Sequence, residues 1–171
     1  PRALQQSVAQ TAAGIAEPGI FVLEAPMGVG KTEAALAAAE IFAAVCGRSG
    51  LFFALPTQAT SNGMFSRLVN WVNVLDGGRH SMELVHSNAQ FNDDFKKLNR
   101  IRSNNIDVDD DAGAAVYQWF EGRKKSMLAD FVVGTVDQLL QLALKQKHVM
   151  LRHVALMNKV VIIDECHAYD A

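Results

Sequence analysis

A lysine, a threonine and two glycines cluster near the start of the chain, between a short apolar run and an alanine-rich stretch. Residues 20–23 are wholly apolar, APMGVGKT follows at 25–32, and the next residues are rich in strong helix formers. Gly28 and Gly30 allow a positive φ, so the backbone can approach phosphate oxygens closely. A strand, a glycine-rich loop and a helix in this order form a P-loop, in which N–H groups at a helix N-terminus hold the phosphates of a nucleotide.

Two side chains of this loop carry the predicted chemistry. Lys31 supplies a point charge to the β- and γ-phosphates, and the Thr32 hydroxyl is placed to bind Mg²⁺. A glycine-rich turn before an alanine-rich helix would look similar, but Gly-Lys-Thr behind an apolar strand favours binding of the phosphates of a nucleotide together with Mg²⁺. The residues that we expect around the nucleotide are Ala25, Pro26, Met27, Gly28, Val29, Gly30, Lys31 and Thr32.

Two acidic residues follow the last apolar run of the chain. Residues 160–163 (VVII) are all β-branched and predict a buried strand, so Asp164 and Glu165 lie at its carboxyl end. Asp164 would hold Mg²⁺ through its water shell, and Glu165 would position and deprotonate the attacking water. His167 completes a D-E-x-H pattern, although a lone histidine is more often structural.

The composition is that of an ordinary globular domain. The chain has 171 residues, of which 50% are hydrophobic and 20% charged, a size that fits one domain with its own core. The net charge of −2 gives no electrostatic footprint for nucleic acid, so contacts with a strand must come from local groups. Cys46 and Cys166 lie far apart, which favours reduced thiols and a cytoplasmic location. We find no run of membrane-spanning length and no signal-peptide pattern.

Apolar runs that alternate with helical segments predict an α/β fold, a parallel β-sheet with helices on both faces. The predicted strands are residues 20–23, 51–55, 82–86, 131–134 and 160–163. The predicted helices are residues 2–15, 32–46, 59–74, 91–101, 114–120 and 136–145. Residues 104–113 are predicted to be a polar surface loop, and residues 148–158 are helical or irregular. In such sheets ligands bind at the carboxyl ends of the strands.

Four segments in this order resemble the helicase core of the CRISPR-associated helicase-nucleases of type I systems, which are superfamily 2 DExH helicases. They are EAPMGVGKTEAAL, ALPTQATSNGMF, VGTVDQLL and IIDECHAYD, and the likeness covers essentially the whole chain. The usual family sequences are closer to EAPTGSGKT and DEVHAYD, so Met27, Val29 and Cys166 depart from them at positions whose side chains we assign no chemistry. The resemblance implies that residues 1–171 are the first RecA-like, ATP-binding domain, truncated after the DExH motif, so that the P-loop NTPase lobe is incomplete.

The resemblance also implies an ATP-driven translocase on single-stranded DNA, recruited by an RNA-guided surveillance complex whose guide reads the sequence. It gives Lys31, Asp164 and Glu165 the catalytic roles, and His167 a role in coupling. Gln5 resembles the glutamine that reads the adenine edge, although a solvated helix face explains it equally well. The residues implied to contact the DNA backbone without reading bases are Pro56, Thr57, Gln58, Gly134 and Thr135.

Several parts of a complete family member have no counterpart in this sequence: the His-Asp doublet of the nuclease, the serine-alanine-threonine motif, and the second RecA-like domain with its arginine finger. The implied partners therefore include that second domain and a nuclease domain of the same polypeptide. A strand that follows the Asp-Glu motif would lie between residues 20–23 and 160–163. Three alternatives remain open: a lobe that binds nucleotide without turnover, a fragment of a DExH-type RNA helicase, and a small-molecule P-loop kinase. Glu165 and the PTQAT segment argue against the kinase.

Overall fold

The structure is a computed structural model that describes residues 3–75, 79–85, 113–115, 126–141 and 149–169. Its helices are α1 (Ala3–Ala13), α2 (Lys31–Cys46), α3 (Gln58–Val72), α4 (Val136–Leu140) and α5 (Val149–Met157). Its strands are β1 (Gly50–Leu55), β2 (Arg79–Val85), β3 (Gly113–Ala115), β4 (Phe131–Thr135) and β5 (Lys159–Ile163). Short 3₁₀ turns cover Ser126–Leu128 and Cys166–Tyr169.

The described strands form one parallel sheet in the order β3-β2-β4-β1-β5. The central strand β1 pairs with β4 from Leu51↔Phe131 to Leu55↔Thr135, and with β5 from Gly50↔Lys159 onward. Parallel strands end at the same edge of a sheet, so the segments after β1, β4 and β5 meet there. The predicted α/β fold with a parallel sheet is confirmed.

The continuous apolar sequence of β1 is explained by burial on both faces of the sheet. Leu51, Phe53 and Leu55 pack into a core with side chains of α2 and α3. Phe52 and Ala54 point to the opposite face and pack into a second cluster that includes residues of α4 and α5. Because successive side chains of a strand alternate between faces, a strand covered on both faces has no polar position.

The predicted strand at residues 20–23 is wrong. Residues 14–30, all of which are described, contain no strand. Phe21 and Leu23 still pack against α1 and α2, whereas Ile20 and Val22 are 96% and 82% exposed. The segment therefore shows the alternation of a strand, but no neighbouring strand in the described part of the chain pairs with it.

The predicted helix at residues 114–120 is wrong at its start, because Ala114 and Ala115 lie in β3 and pair with β2. Pairing with the edge of β2 here overrides the helix propensity of alanine. Outside the described residues lie the rest of that helix, the predicted helix at 91–101, residues 104–112 of the predicted loop and residues 142–145. The predicted loop at 104–113 is wrong at its last residue, because Gly113 lies in β3. The helix α2 ends as predicted, with Gly47 left-handed at φ 61°. No helix of the described chain is long and apolar enough to cross a membrane.

Candidate functional site

The glycine loop leads directly into α2, whose first two residues are Lys31 and Thr32. Gly28 and Gly30 have φ values of 78° and 91°, so both adopt the left-handed backbone that was predicted for them. Gly30 is the N-cap residue of α2 and has no side chain with which to cap it. The N-terminus of a 16-residue helix thus opens onto a glycine turn, which is the arrangement that binds phosphate groups.

A cavity of about 460 Å³ lies over this loop. It brings together side chains from α1, the loop, α2, α3 and the end of β5. Its lining residues are Gln5, Met27, Gly28, Gly30, Lys31, Thr32, Glu33, Arg67 and Glu165. Most of the predicted nucleotide residues therefore meet here. Ala25, Pro26 and Val29, which we also placed around the nucleotide, are not among the lining residues.

Asp164 and Glu165 leave the sheet at the carboxyl end of β5. The Asp164 N–H donates to the carbonyl of Ala54 over 3.0 Å, which closes the ladder between β5 and β1 at the pair Ala54↔Ile163. Oδ1 of Asp164 accepts a hydrogen bond of 2.9 Å from the Glu165 N–H. Asp164 is half-buried and does not line the cavity, whereas Glu165 does.

The backbone of Glu165 is strained. Its φ is 55°, and it is the non-glycine residue with positive φ in the described part of the chain. The left-handed conformation costs such a residue about 1–2 kcal/mol. Strain of this kind concentrates at functional sites, where the surrounding structure holds a side chain in place. The turn separates the two acids, because it directs Glu165 to the cavity and leaves Asp164 beside the sheet.

His167 contacts Glu165 directly. Its Nε2 lies 3.2 Å from Oε2 of Glu165, and its side chain is 77% exposed. The sequence placed His167 in the site only through its motif. The structure adds a direct contact between this largely exposed imidazole and the predicted base.

A second cavity, of about 400 Å³, lies at the carboxyl ends of β1 and β4. Its lining residues are Pro56, Thr57, Gln58, Thr135, Asp137, Gln138 and Gln141. Four of the five residues predicted to contact DNA thus share one surface. Asp137, Gln138 and Gln141 line the same cavity and were not predicted from the sequence. Their spacing after Thr135 on a helical turn was the signal that could have found them.

Gly134, the fifth of these residues, does not line the cavity. It is buried in β4, and an added Cβ would lie 3.1 Å from the Val85 carbonyl oxygen and 3.2 Å from Cζ of Phe52. Close packing between β2 and β1 therefore explains this glycine.

Thr57 holds the N-terminus of α3 in a capping box with Thr60. Its Oγ1 accepts from the Thr60 N–H over 3.2 Å, and its own N–H donates to Oγ1 of Thr60 over 3.3 Å. The buried Ser61 hydroxyl lies 2.9 Å from the Thr57 carbonyl oxygen and 3.3 Å from that of Gly134. These bonds fix the walls of the second cavity relative to each other.

The protein groups of the first cavity fit a magnesium nucleotide. No three His, Cys, Asp or Glu residues cluster as a direct metal site among the residues described. Mg²⁺ in nucleotide sites keeps several waters and is held by one or two protein groups together with phosphates. Thr32, which carries a hydroxyl, lines the cavity, and the Asp164 carboxylate, which does not line it, is the neighbouring acidic group that would hold the ion through its water shell. The left-handed glycines leave the space that phosphates would need.

Comparison with known proteins agrees with this geometry. The family model for DEAD/DEAH box helicases matches residues 2–171. The chain is 52% identical to the CRISPR-associated nuclease/helicase Cas3 of Streptococcus thermophilus, over 100% of this chain and 19% of that protein. The crystal structure of T. fusca Cas3-ATP superposes with a TM-score of 0.82 at 37% identity, covering 99% of this chain and 18% of that one. A chain of a CRISPR RNA-guided surveillance complex, pre-nicking, matches with a TM-score of 0.62 at 32% identity, over 98% of this chain and 14% of that one.

The chain belongs to the DEAD/DEAH box helicase family. Its fold is the RecA-like α/β fold of helicases, and the resemblance to the helicase core of CRISPR-associated helicase-nucleases is confirmed. The chain spans about a fifth of the length of the Cas3 relative, 19%.

Proposed function

We propose that the chain is the ATP-binding and ATP-hydrolysing lobe of a cytoplasmic DNA helicase that translocates on single-stranded DNA in type I CRISPR interference. The observation that supports this most strongly is the first cavity, where Lys31 and Thr32 of the P-loop face Glu165 at the end of β5. A phosphate-binding loop opposite a carboxylate is what phosphoanhydride hydrolysis requires.

In this proposal most of the site residues bind the nucleotide and its metal ion, and one residue accepts a proton during hydrolysis. The loop N–H groups and Lys31 hold the phosphates, and Gln5 contacts the adenine edge. Thr32 and Asp164 hold Mg²⁺, which supplies positive charge at the phosphates. Glu165 orients a water for in-line attack on the terminal phosphorus and takes its proton, while the bond from that phosphorus to the β–γ bridging oxygen breaks and ADP leaves.

His167 links hydrolysis to movement in this proposal. Its ring contacts Glu165 and is otherwise largely exposed. A conformational change at the phosphates can therefore move Glu165 and, through it, a His167 side chain that a second domain can contact. That second RecA-like domain and a nuclease domain are proposed as further parts of the same polypeptide. The surveillance complex is proposed as the partner that delivers the DNA, since a related chain occurs in such a complex.

The second cavity is the proposed DNA site. Thr57, Gln58 and Thr135 line it, and hydroxyl and amide groups are of the kind that bind phosphates. The N-terminus of the 15-residue α3 adds a partial positive charge there. None of these groups requires a particular base, and a chain of net charge −2 binds phosphates through such local donors.

Replacing Thr57 and Gln58 together with alanine is expected to weaken single-stranded DNA binding by the full-length gene product about tenfold or more. Each lost hydrogen bond to a charged phosphate is worth roughly 1.5–3 kcal/mol. ATP binding without DNA should be unchanged. The measurement is fluorescence anisotropy with oligonucleotides of several sequences, together with DNA-stimulated ATPase.

Thr57 also caps α3, so the control is Thr60→Ala, which removes the Thr60 Oγ1 acceptor of the capping box at a residue outside the cavity lining. We expect this control to keep DNA binding. Strong base preference in the residual binding, or equal loss in the control, would contradict the proposed site. Tighter binding of single-stranded RNA than of DNA would favour a DExH-type RNA helicase.

We further propose that another strand pairs with β5 in the complete lobe. β5 is an edge strand of the described sheet, and its Val161 and Ile163 are 39% and 44% exposed. Ile20 and Val22 expose apolar side chains in the same alternating manner. An edge that is both unpaired and apolar is a site for strand addition.

The isolated 171-residue chain is therefore expected to aggregate or to melt without cooperativity, and to lack DNA-stimulated ATPase. The exposed, apolar edge of β5 is a template for pairing with other copies of the chain, and its exposed side chains contribute little to a core. Calorimetry and size-exclusion chromatography measure both properties. A cooperatively melting monomer that hydrolyses ATP faster with DNA would refute the incomplete lobe. Nucleotide binding without turnover would match the alternative of a binding-only lobe.

A further inference from the structure

The helix α3 contributes to both cavities. Its first residue, Gln58, lines the proposed DNA site, and Arg67 lines the nucleotide cavity. The two residues are about 13 Å apart along the helix axis, at 1.5 Å per residue. A rigid helix between the two cavities transmits any displacement of one end to the other.

The contact of Arg67 inside the nucleotide cavity is with Glu33. Nη2 of Arg67 donates to Oε1 of Glu33, which lies in the first turn of α2 directly after Thr32. Both side chains are 51% exposed, and exposed ion pairs of this kind add little to stability. Stability therefore does not account for a guanidinium at this place.

The chemistry of the pair suits a nucleotide with a terminal phosphate. A guanidinium carries five N–H donors in a planar fork that matches phosphate oxygens, so Arg67 can hold Glu33 and a phosphate together or exchange one for the other. The carboxylate of Glu33 opposes phosphate binding beside Lys31, and its pairing with Arg67 offsets that repulsion. A triphosphate carries more negative charge at this position than a diphosphate.

We propose that Arg67 is a phosphate-sensing residue, which binds the terminal phosphate of ATP and passes the nucleotide state through α3 to the DNA site. This inference rests on the proposed function, because it takes the first cavity to be the ATP site. Arg67 binds more strongly when the terminal phosphate is present, and α3 follows its side chain. ATP, but not ADP, then changes the affinity of the α3 N-terminus for DNA.

The test uses the full-length gene product and four variants: Arg67→Ala, Arg67→Lys, Arg48→Ala and Lys31→Ala. The affinities for a non-hydrolysable ATP analogue and for ADP are measured by calorimetry, each with and without a single-stranded oligonucleotide. For Arg67→Ala we expect about 10- to 100-fold weaker binding of the ATP analogue, because a charge-assisted hydrogen bond to the phosphate is lost. ADP affinity should change by less than about threefold, and the effect of DNA on ATP affinity should disappear. Arg67→Lys keeps the charge but not the fork, so its ATP-to-ADP ratio should be intermediate.

Arg48→Ala is the matched control, because it removes the same charge at the far end of α2. There Nη1 of Arg48 donates to the Met157 carbonyl over 2.7 Å, outside both cavities. We expect wild-type nucleotide affinities from it. The phosphate-sensing role is overturned if Arg67→Ala lowers the affinities for the ATP analogue and for ADP equally. It is also overturned if Arg48→Ala lowers the affinity for the ATP analogue as much as Arg67→Ala does.

Lys31→Ala separates this inference from the proposed function. If Lys31→Ala leaves nucleotide affinity intact, the cavity is not the ATP site and both proposals fall. If Lys31→Ala abolishes binding while Arg67→Ala keeps the wild-type ATP-to-ADP ratio, the proposed function stands and only the role of Arg67 is overturned.

Discussion

Lys31→Ala is expected to abolish Mg-ATP binding and turnover in the full-length gene product. The substitution removes the point charge at the β- and γ-phosphates, while the loop glycines and α2 keep their backbone. Loss of one preorganised contact of this kind typically lowers turnover by about 100- to 1000-fold, or roughly 3–4 kcal/mol. Titration calorimetry with a non-hydrolysable analogue and a steady-state ATPase assay measure the two effects.

The control for this substitution is again Arg48→Ala, since a change of net charge alone should affect neither quantity. Tight nucleotide binding by the Lys31→Ala protein would show that the glycine loop is not the phosphate site.

Glu165→Gln is expected to keep Mg-ATP bound and to stop its hydrolysis. The amide can still hydrogen-bond a water but cannot take its proton, so general-base catalysis worth about 10²–10⁴-fold is lost. The strained turn at φ 55° holds either side chain in the same direction. Single-turnover hydrolysis and nucleotide affinity, measured on the same protein, distinguish this result from a loss of binding.

Asp164→Asn is the matched comparison, because it also replaces one carboxylate by an amide, at the neighbouring residue. Asp164 does not line the cavity, and its Oδ1 already accepts from the Glu165 N–H. We expect weaker magnesium-dependent nucleotide binding from this variant. A similar modest fall in turnover from both variants would refute the division of roles between the two acids.

The sequence predicted those parts of the fold that depend only on the residues of a single chain segment. The runs at 51–55 and 131–134, which became β1 and β4, contain no polar residue, because strands buried on both faces admit no polar position. The run at 160–163 is equally apolar and forms β5, although its Val161 and Ile163 remain partly exposed at the edge of the described sheet. The positive φ of Gly28 and Gly30 likewise follows from the residue type and the loop.

Other features depended on partners distant in sequence and could not be predicted. Residues 20–23 have a strand sequence, yet a ladder needs a neighbour, and Ile20 and Val22 stay exposed without one. Gly134 matched a DNA-contact motif, whereas its burial against Val85 and Phe52 comes from the sheet. The pairing of Arg67 with Glu33 joins two helices and has no local signature.

The central proposal is that these residues form the ATP-hydrolysing lobe of a helicase that translocates on single-stranded DNA. One reaction rate tests it most directly. That rate is ATP hydrolysis by the full-length gene product at saturating Mg-ATP, with and without single-stranded DNA, relative to Glu165→Gln. We predict that single-stranded DNA raises the rate and that Glu165→Gln abolishes it under both conditions. A rate that is indifferent to DNA, or that survives in Glu165→Gln, would contradict the proposal.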